Sequence, residues 1–300
     1  MTTFRAKAHR SSRDTAAAPS LDPSPGGRIE ANRLDDGGVR RRERAIFLSD
    51  FHLGTIGCKA GPLLDFLRRH DAETLYLVGD IFDNWRPVGA HWSEDHERVV
   101  KLLLGRARAG RRIIYVPGNH DEFFLHFLGR YFEELEVLPE AWHRTAGGER
   151  LLVTHGANCD LFARRLPWLA HTGGRIESGV RRLGRGMDAM QDSFGMPRWN
   201  GIETLVARVN GAIRAHDGFE ERLCAMAIDR SADGIVCGHF HQPALYRRDG
   251  VLYANCGDWV ESCTALIEHL DGQLELVHWM DPAVAGERAD AGAAKLGMAT

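Results

Sequence analysis

The sequence predicts a layered α/β protein whose strands carry one shared site. Three observations predict it. Short apolar runs recur along the chain, and each ends beside glycine in a residue able to hold a cation. Helical spacing separates the first of these runs. The last third then returns to short runs divided by turn residues, as a second sheet does.

Taken in order, residues 1–43 are rich in Ser, Ala, Pro, Gly and Arg and lack apolar periodicity. Such a segment buries too little surface to offset its ordering, so it is expected to be disordered. It carries no apolar run of the kind a secretory signal needs. The basic run Arg40-Arg41-Arg42-Glu43-Arg44 reads as a solvated linker, with contact to anionic lipid as the second reading.

Ala45-Ile46-Phe47-Leu48 is the first buried strand, and Ser49-Asp50-Phe51-His52-Leu53-Gly54 comes directly after it. Leu63, Phe66 and Leu67 then fall at helical spacing. Thr74-Leu75-Tyr76-Leu77-Val78 is the second strand and ends in Gly79-Asp80-Ile81-Phe82-Asp83-Asn84. Asp83, Asn84 and Trp85 suit either a pocket mouth or a structural role. Ser93 can cap a helix running to Arg108. Arg112-Ile113-Ile114-Tyr115-Val116 ends in Pro117-Gly118-Asn119-His120-Asp121, and Leu151-Leu152-Val153-Thr154 ends in His155-Gly156.

From about 158 to 230 the strand signal stops. Phe162, Leu166 and Leu169 mark one amphipathic helix, Ile202 to Ile213 a second, and Phe219, Leu223 and Met226 a third. Arginines scattered through the segment fit a solvated basic face, or a lid with an apolar side for acyl chains and a basic side for phosphate. Ile235-Val236-Cys237 ends in Gly238-His239-Phe240-His241. Four further strands are expected near 244–247, 251–254, 264–267 and 274–277, and residues 281–300 read as a loose tail.

The composition sets outer limits. Three hundred residues allow one or two domains with a sizeable core. A net charge of -3 argues against sequence-independent nucleic-acid binding. Six cysteines with no C-x-x-C read as free thiols in a reducing compartment. No apolar stretch reaches the ~20 residues of a spanning helix, so a soluble or peripheral protein is expected.

The strand ends together offer Asp50, His52, Asp80, Asn119, His155, His239 and His241. Open α/β sheets place their sites at the carboxyl ends of strands, and glycine lets backbone turn there. This oxygen and imidazole set without thiolate suits Mn, Fe or Zn. It exceeds what one ion needs, whereas two ions ~3.5–4 Å apart sharing a carboxylate form the arrangement of phosphoryl-cleaving sites.

The order D-x-H, GD, GNHD, H, GHxH resembles the calcineurin-like metallophosphoesterases over about residues 44–280. Within that superfamily, the text SDFHLGTIGCKAGPLLDFL, GDIFDNW and GDWVESCTALIEH is similar to the UDP-2,3-diacylglucosamine diphosphatase branch. The resemblance implies a four-layer αββα sandwich with a helical cap insertion. It implies Asp80 as the carboxylate between two divalent ions, most simply Mn. It also implies Asp50, His52 and His241 on the first ion, with Asn119, His155 and His239 on the second. His120 would protonate the leaving oxygen or stabilise the transition state, with Asp121 orienting its ring.

The activity implied by this resemblance is that of a diphosphatase of lipid A biosynthesis, releasing UMP and an acylated sugar 1-phosphate. Such an enzyme would be cytoplasmic, peripheral at the inner membrane, and without an obligate protein partner. Two departures bear on the substrate. His120 stands where the best-known lipid-cleaving members carry arginine, and Gly156-Ala157-Asn158 lacks their acidic residue. The other readings are a phosphoesterase for a different phosphodiester or nucleotide, and a non-catalytic scaffold.

Overall fold

In a computed structural model of the chain, the described residues are 41–83, 91–127, 131–132, 135–160 and 218–280. The expected disordered extension to residue 40, the first two helices of the insertion, Asn84, Trp85 and the tail all lie outside them.

Two mixed sheets form the centre. Strands β1 (Arg41–Leu48), β2 (His70–Val78), β3 (Arg112–Val116), β4 (Tyr131–Phe132), β5 (Leu135–Val137), β11 (Thr264–Glu268) and β12 (Leu274–His278) make the first, in the order β12-β11-β1-β2-β3-β5-β4. Strands β6 (Ala141–Arg144), β7 (Arg150–Val153), β8 (Gly234–Cys237), β9 (Ala244–Arg248) and β10 (Val251–Asn255) make the second, in the order β6-β7-β8-β10-β9. Each sheet has parallel inner pairs: β1, β2, β3 and β5 in one, β7, β8 and β10 in the other. The remaining strands pair antiparallel at the edges.

Strand alternation sends side chains to two cores at once. From β1, Ala45 and Phe47 face the space between the sheets, where they meet Val153, Val236 and Ala254. Ile46 and Leu48 face outward onto α1 (Ala60–Arg69) and α2 (Glu94–Arg108), through Leu63, Phe66, Leu67, Val99 and Leu103. The second sheet repeats this, turning Leu152, Ile235, Cys237 and Tyr253 toward Phe219, Leu223 and Ala227 of α3 (Phe219–Asp229). The layers are therefore αββα. The helix expected at Phe219–Met226 is α3, and it covers this second sheet.

The first strand begins at Arg41, ahead of the expected Ala45, so residues 41–43 are strand and not the end of a disordered extension or a solvated linker. Arg41, Arg42 and Glu43 pair with His70, Asp71 and Ala72. Charge disguises this start. Glu43 is buried, with His70 Nδ1 at 3.4 Å and His269 Nδ1 at 2.8 Å on its carboxylate. All six cysteines are free thiols, as expected. Among the described residues no helix is long and apolar enough to cross a membrane.

Candidate metal centre

The parallel strands of both sheets end on the same side, and their loops interlock there. Asp50 N–H donates to Gly79 O at 3.0 Å, His52 N–H to Asp80 O at 2.9 Å, and Leu53 N–H to Ile81 O at 2.9 Å. The second sheet is tied in by His239 N–H, which donates to Asp50 Oδ2 at 3.0 Å.

The backbone is strained where the candidate ligands sit. Asp50, His52, Asp80, His239 and His241 all have φ between 50° and 72°. L-residues avoid that region at a cost of roughly 1–3 kcal/mol each, and strain of this kind concentrates at functional sites. The hydrogen bonds above hold it in place. Two glycines leave the space that the carboxylates use. A Cβ on Gly118 would lie 2.2 Å from Asp80 Oδ1, and one on Gly238 would lie 2.5 Å from Asp50 Oδ2.

Three groups of donor atoms result among the described residues, two of them sharing His52. His52, Asp83 and His120 form one, and the other two hold the expected ligands. Asp50, His52 and His241 form the first of these ligand groups, and Asp80, His155 and His239 form the second, with each group's atoms within 4.8 Å of one another. His241 Nε2 lies 3.2 Å from Asp50 Oδ1 and 3.3 Å from His52 Nε2. Asp80 Oδ2 lies 3.4 Å from His155 Nε2 and 4.0 Å from His52 Nε2, so one oxygen faces members of both ligand groups. Asp80 Oδ1 is held by the His120 N–H at 2.8 Å. Asn119 sits in that same loop, between Gly118 and His120.

The donor set fits divalent cations. Asp50 and Asp80 are buried carboxylates. Asp50 Oδ1 and His155 Nε2 are buried without a well-formed hydrogen bond and face other candidate donors, His241 Nε2 at 3.2 Å and Asp80 Oδ2 at 3.4 Å, a crowding of ligand atoms that a cation would satisfy. His155 Nδ1–H donates to Val78 O at 2.9 Å, which aims Nε2 into the centre.

Protons supply the positive charge here in the metal-free protein. Burial would raise the Asp80 carboxyl, but the His155, His120 and His52 imidazoles hold it well below the carboxylate range. Burial would lower His155, but Asp80 and Asp50 pull it up to about 10. His52 goes the other way, pushed down to about 4 chiefly by burial.

Three carboxylates near the centre are absent from the donor set expected from the strand ends. Asp83 Oδ1 lies 3.4 Å from His120 Nδ1, Asp160 Oδ2 lies 2.8 Å from His239 Nε2, and Asp258 Oδ2 lies 3.4 Å from His241 Nδ1. Asp83 stands three residues after Asp80, which was the available signal. Asp258 stands in the Gly257-Asp258-Trp259 start of a stretch the resemblance rests on, which was its signal, whereas Asp160 has no spacing that announces it. Asp121 does not orient His120 as expected. Its carboxylate accepts from Gly118 N–H at 2.6 Å, from Ile81 N–H at 2.7 Å and from the Tyr115 hydroxyl. It locks the two loops together, and Asp83 is the carboxylate at the imidazole.

The family model for calcineurin-like phosphoesterases matches residues 44–243. The UDP-2,3-diacylglucosamine hydrolase of Ralstonia nicotianae is 29% identical over 247 residues, covering 74% of this chain and 85% of that one. The enzyme of the same name from Aeromonas hydrophila is 28% identical over 251 residues, covering 74% and 93%. Among solved structures, the E. coli phosphoesterase Yfce aligns with a TM-score of 0.39 and 16% identity, covering 78% and 98%.

Proposed function

This chain belongs to the calcineurin-like phosphoesterase family, and from that premise we propose that it cleaves the pyrophosphate bond of UDP-2,3-diacylglucosamine, giving UMP and 2,3-diacylglucosamine 1-phosphate. It is a metal-dependent hydrolase. The observation that carries the reading is the pair of donor groups meeting at one Asp80 oxygen.

In this reading Asp50, His52 and His241 would hold one divalent ion, and Asn119, His155 and His239 would hold the other. Asp80, whose Oδ2 faces His155 and His52, would be shared by the two. Two such ions, Mn by donor chemistry with Fe or Zn also suited, would supply a water acidic enough to be hydroxide near neutral pH and would draw charge off the phosphate. The protein's own groups do the rest. Asn119, as a neutral amide, limits the negative charge that an incoming phosphate meets. His120 presents Nε2 toward the centre, 3.9 Å from Asp80, with Asp83 behind Nδ1. That arrangement suits proton donation from Nε2 to the departing phosphate oxygen.

In this reading the enzyme belongs to lipid A biosynthesis and would work at the cytoplasmic face of a bacterial inner membrane, in peripheral contact with lipid. A second reading, hydrolysis of another phosphodiester or nucleotide, is favoured by His120 and by Gly156-Ala157-Asn158.

Detergent-solubilised UDP-diacylglucosamine and bis-p-nitrophenyl phosphate, assayed side by side with added Mn, test the choice. The proposal expects the lipid to turn over faster. An untouched lipid beside a cleaved diester overturns it. Asp80→Ala is expected to lose bound metal and activity together.

A further inference from the structure

Asp258 lies in the turn after β10 and is fully buried. Its two carboxylate oxygens do different things. Oδ1 accepts from the backbone N–H groups of Val260, Glu261 and Ser262 at 2.7, 2.5 and 3.1 Å. Those three donors need an acceptor, so they fix which way the carboxylate faces. Oδ2 takes no part in the turn, although it is buried. It points at His241 Nδ1, 3.4 Å away. The other ring nitrogen, Nε2, faces Asp50 and His52.

An imidazole presents a lone pair to a cation through one nitrogen only when its proton is kept on the other. We propose that Asp258 is a positioning residue, whose spare oxygen holds the proton of His241 on Nδ1 and so keeps Nε2 open to a divalent cation beside Asp50. This rests on the reading that His241 is a metal ligand, and assigns the buried aspartate behind it. A ring oriented by an outer carboxylate binds metal more tightly and in one orientation. The turn is itself anchored to the site, because Trp259 N–H donates to Asp50 O at 3.1 Å. The strand end that supplies Asp50 and the turn that supplies Asp258 therefore move as one.

Asp258→Asn separates this role from turn formation. The amide keeps an oxygen for the three backbone donors and places NH2 where Oδ2 stood. That group donates to His241 Nδ1, which forces the ring proton onto Nε2 and closes the lone pair. Competition titration of Mn into the full-length, metal-stripped protein is the measurement, alongside thermal unfolding in chelator.

The expected result is about a 10- to 100-fold weaker affinity for one of two equivalents, with the other unchanged. The control is Ser262→Ala, which removes the hydroxyl at Asp258 N–H, 3.0 Å away, without touching His241. It is expected to unfold earlier and still bind both ions with unchanged affinity. On a His241→Ala background, Asp258→Asn is expected to weaken binding no further. Three results overturn the proposal: unchanged binding in Asp258→Asn, an equal loss in Ser262→Ala, or an additive loss on His241→Ala. A wild-type protein that binds no cation removes the underlying site reading as well, which distinguishes that failure from the others.

Discussion

The backbone N–H of His120 donates to Asp80 Oδ1 at 2.8 Å, across 40 residues of chain. The loop that carries the proposed acid is thereby fastened to the carboxylate proposed to lie between the ions. That contact exists only because Gly118 has no side chain. A Cβ there would also lie 2.6 Å from Asp80 N and 2.8 Å from His155 Cδ2. Gly118→Ala must push backbone away from backbone, at a cost of about 1–3 kcal/mol. It is expected to lower the unfolding midpoint in urea and to bind less metal. A variant with full metal content and wild-type stability would show that the two loops are not held together here.

His120 and Asp83 divide one task. If His120 supplies the proton, His120→Ala keeps both metals and loses about 10²–10⁴ in kcat. Asp83→Asn changes what the Nδ1 atom faces at 3.4 Å and leaves the acid in place. Its loss is expected to be smaller and to show as a shift in the pH profile of kcat. Equal rates in wild type and His120→Ala would remove the assigned role.

If His155 is a metal ligand as proposed, metal binding expels protons from this site. In the metal-free protein burial disfavours a charged His155, yet Asp80 and Asp50 hold its pKa up to about 10. A ligand must present a bare nitrogen, so a cation displaces that proton. Calorimetric titration at pH 7 in two buffers of different ionisation enthalpy is expected to report proton release, and affinity is expected to rise with pH toward 10. The metal-free fold has the opposite sign. A raised pKa contributes stability that is complete below the unfolded value of 6.5 and is lost as pH climbs through about 10. The chelated protein should therefore unfold at lower temperature at pH 10 than at pH 7. Binding without proton release would contradict this charge balance.

The donors were visible in the sequence wherever apolar and polar signals coincide. Val78 before Gly79-Asp80 and Val153 before His155 put a strand end and a donor within a few residues, so the donors could be read in order. The pairing of loops was hidden, because it is made by backbone groups and missing side chains such as those of Gly118 and Gly238. The partners of Asp258 and Asp160 were hidden because they are distant in the chain. His241 lies before the first and His239 far after the second. The role of Asp121 implied by the resemblance, orienting His120, is not what it does in this chain, because its carboxylate is taken up by the Gly118 and Ile81 N–H groups and the Tyr115 hydroxyl.

The start of β1 was hidden by its charge, and that charge can be tested alone. Burial would raise the Glu43 carboxyl, but hydrogen bonds from His70 and His269 hold it below its usual 4.5. A depressed carboxyl contributes stability that is present above 4.5 and lost as pH falls through the folded value. Glu43→Gln keeps the shape, removes the charge, and leaves one of the two imidazoles facing an NH2 donor. Hydrogen bonds to charged groups contribute roughly 1.5–3 kcal/mol, so urea unfolding at pH 7 should show a loss of that order. The gap between variant and wild type should narrow below pH 4.5 as Glu43 itself takes up a proton. A gap of the same size at pH 7 and at acid pH would mean that packing at the strand start, and not the Glu43 charge, holds Arg41–Glu43 against His70–Ala72.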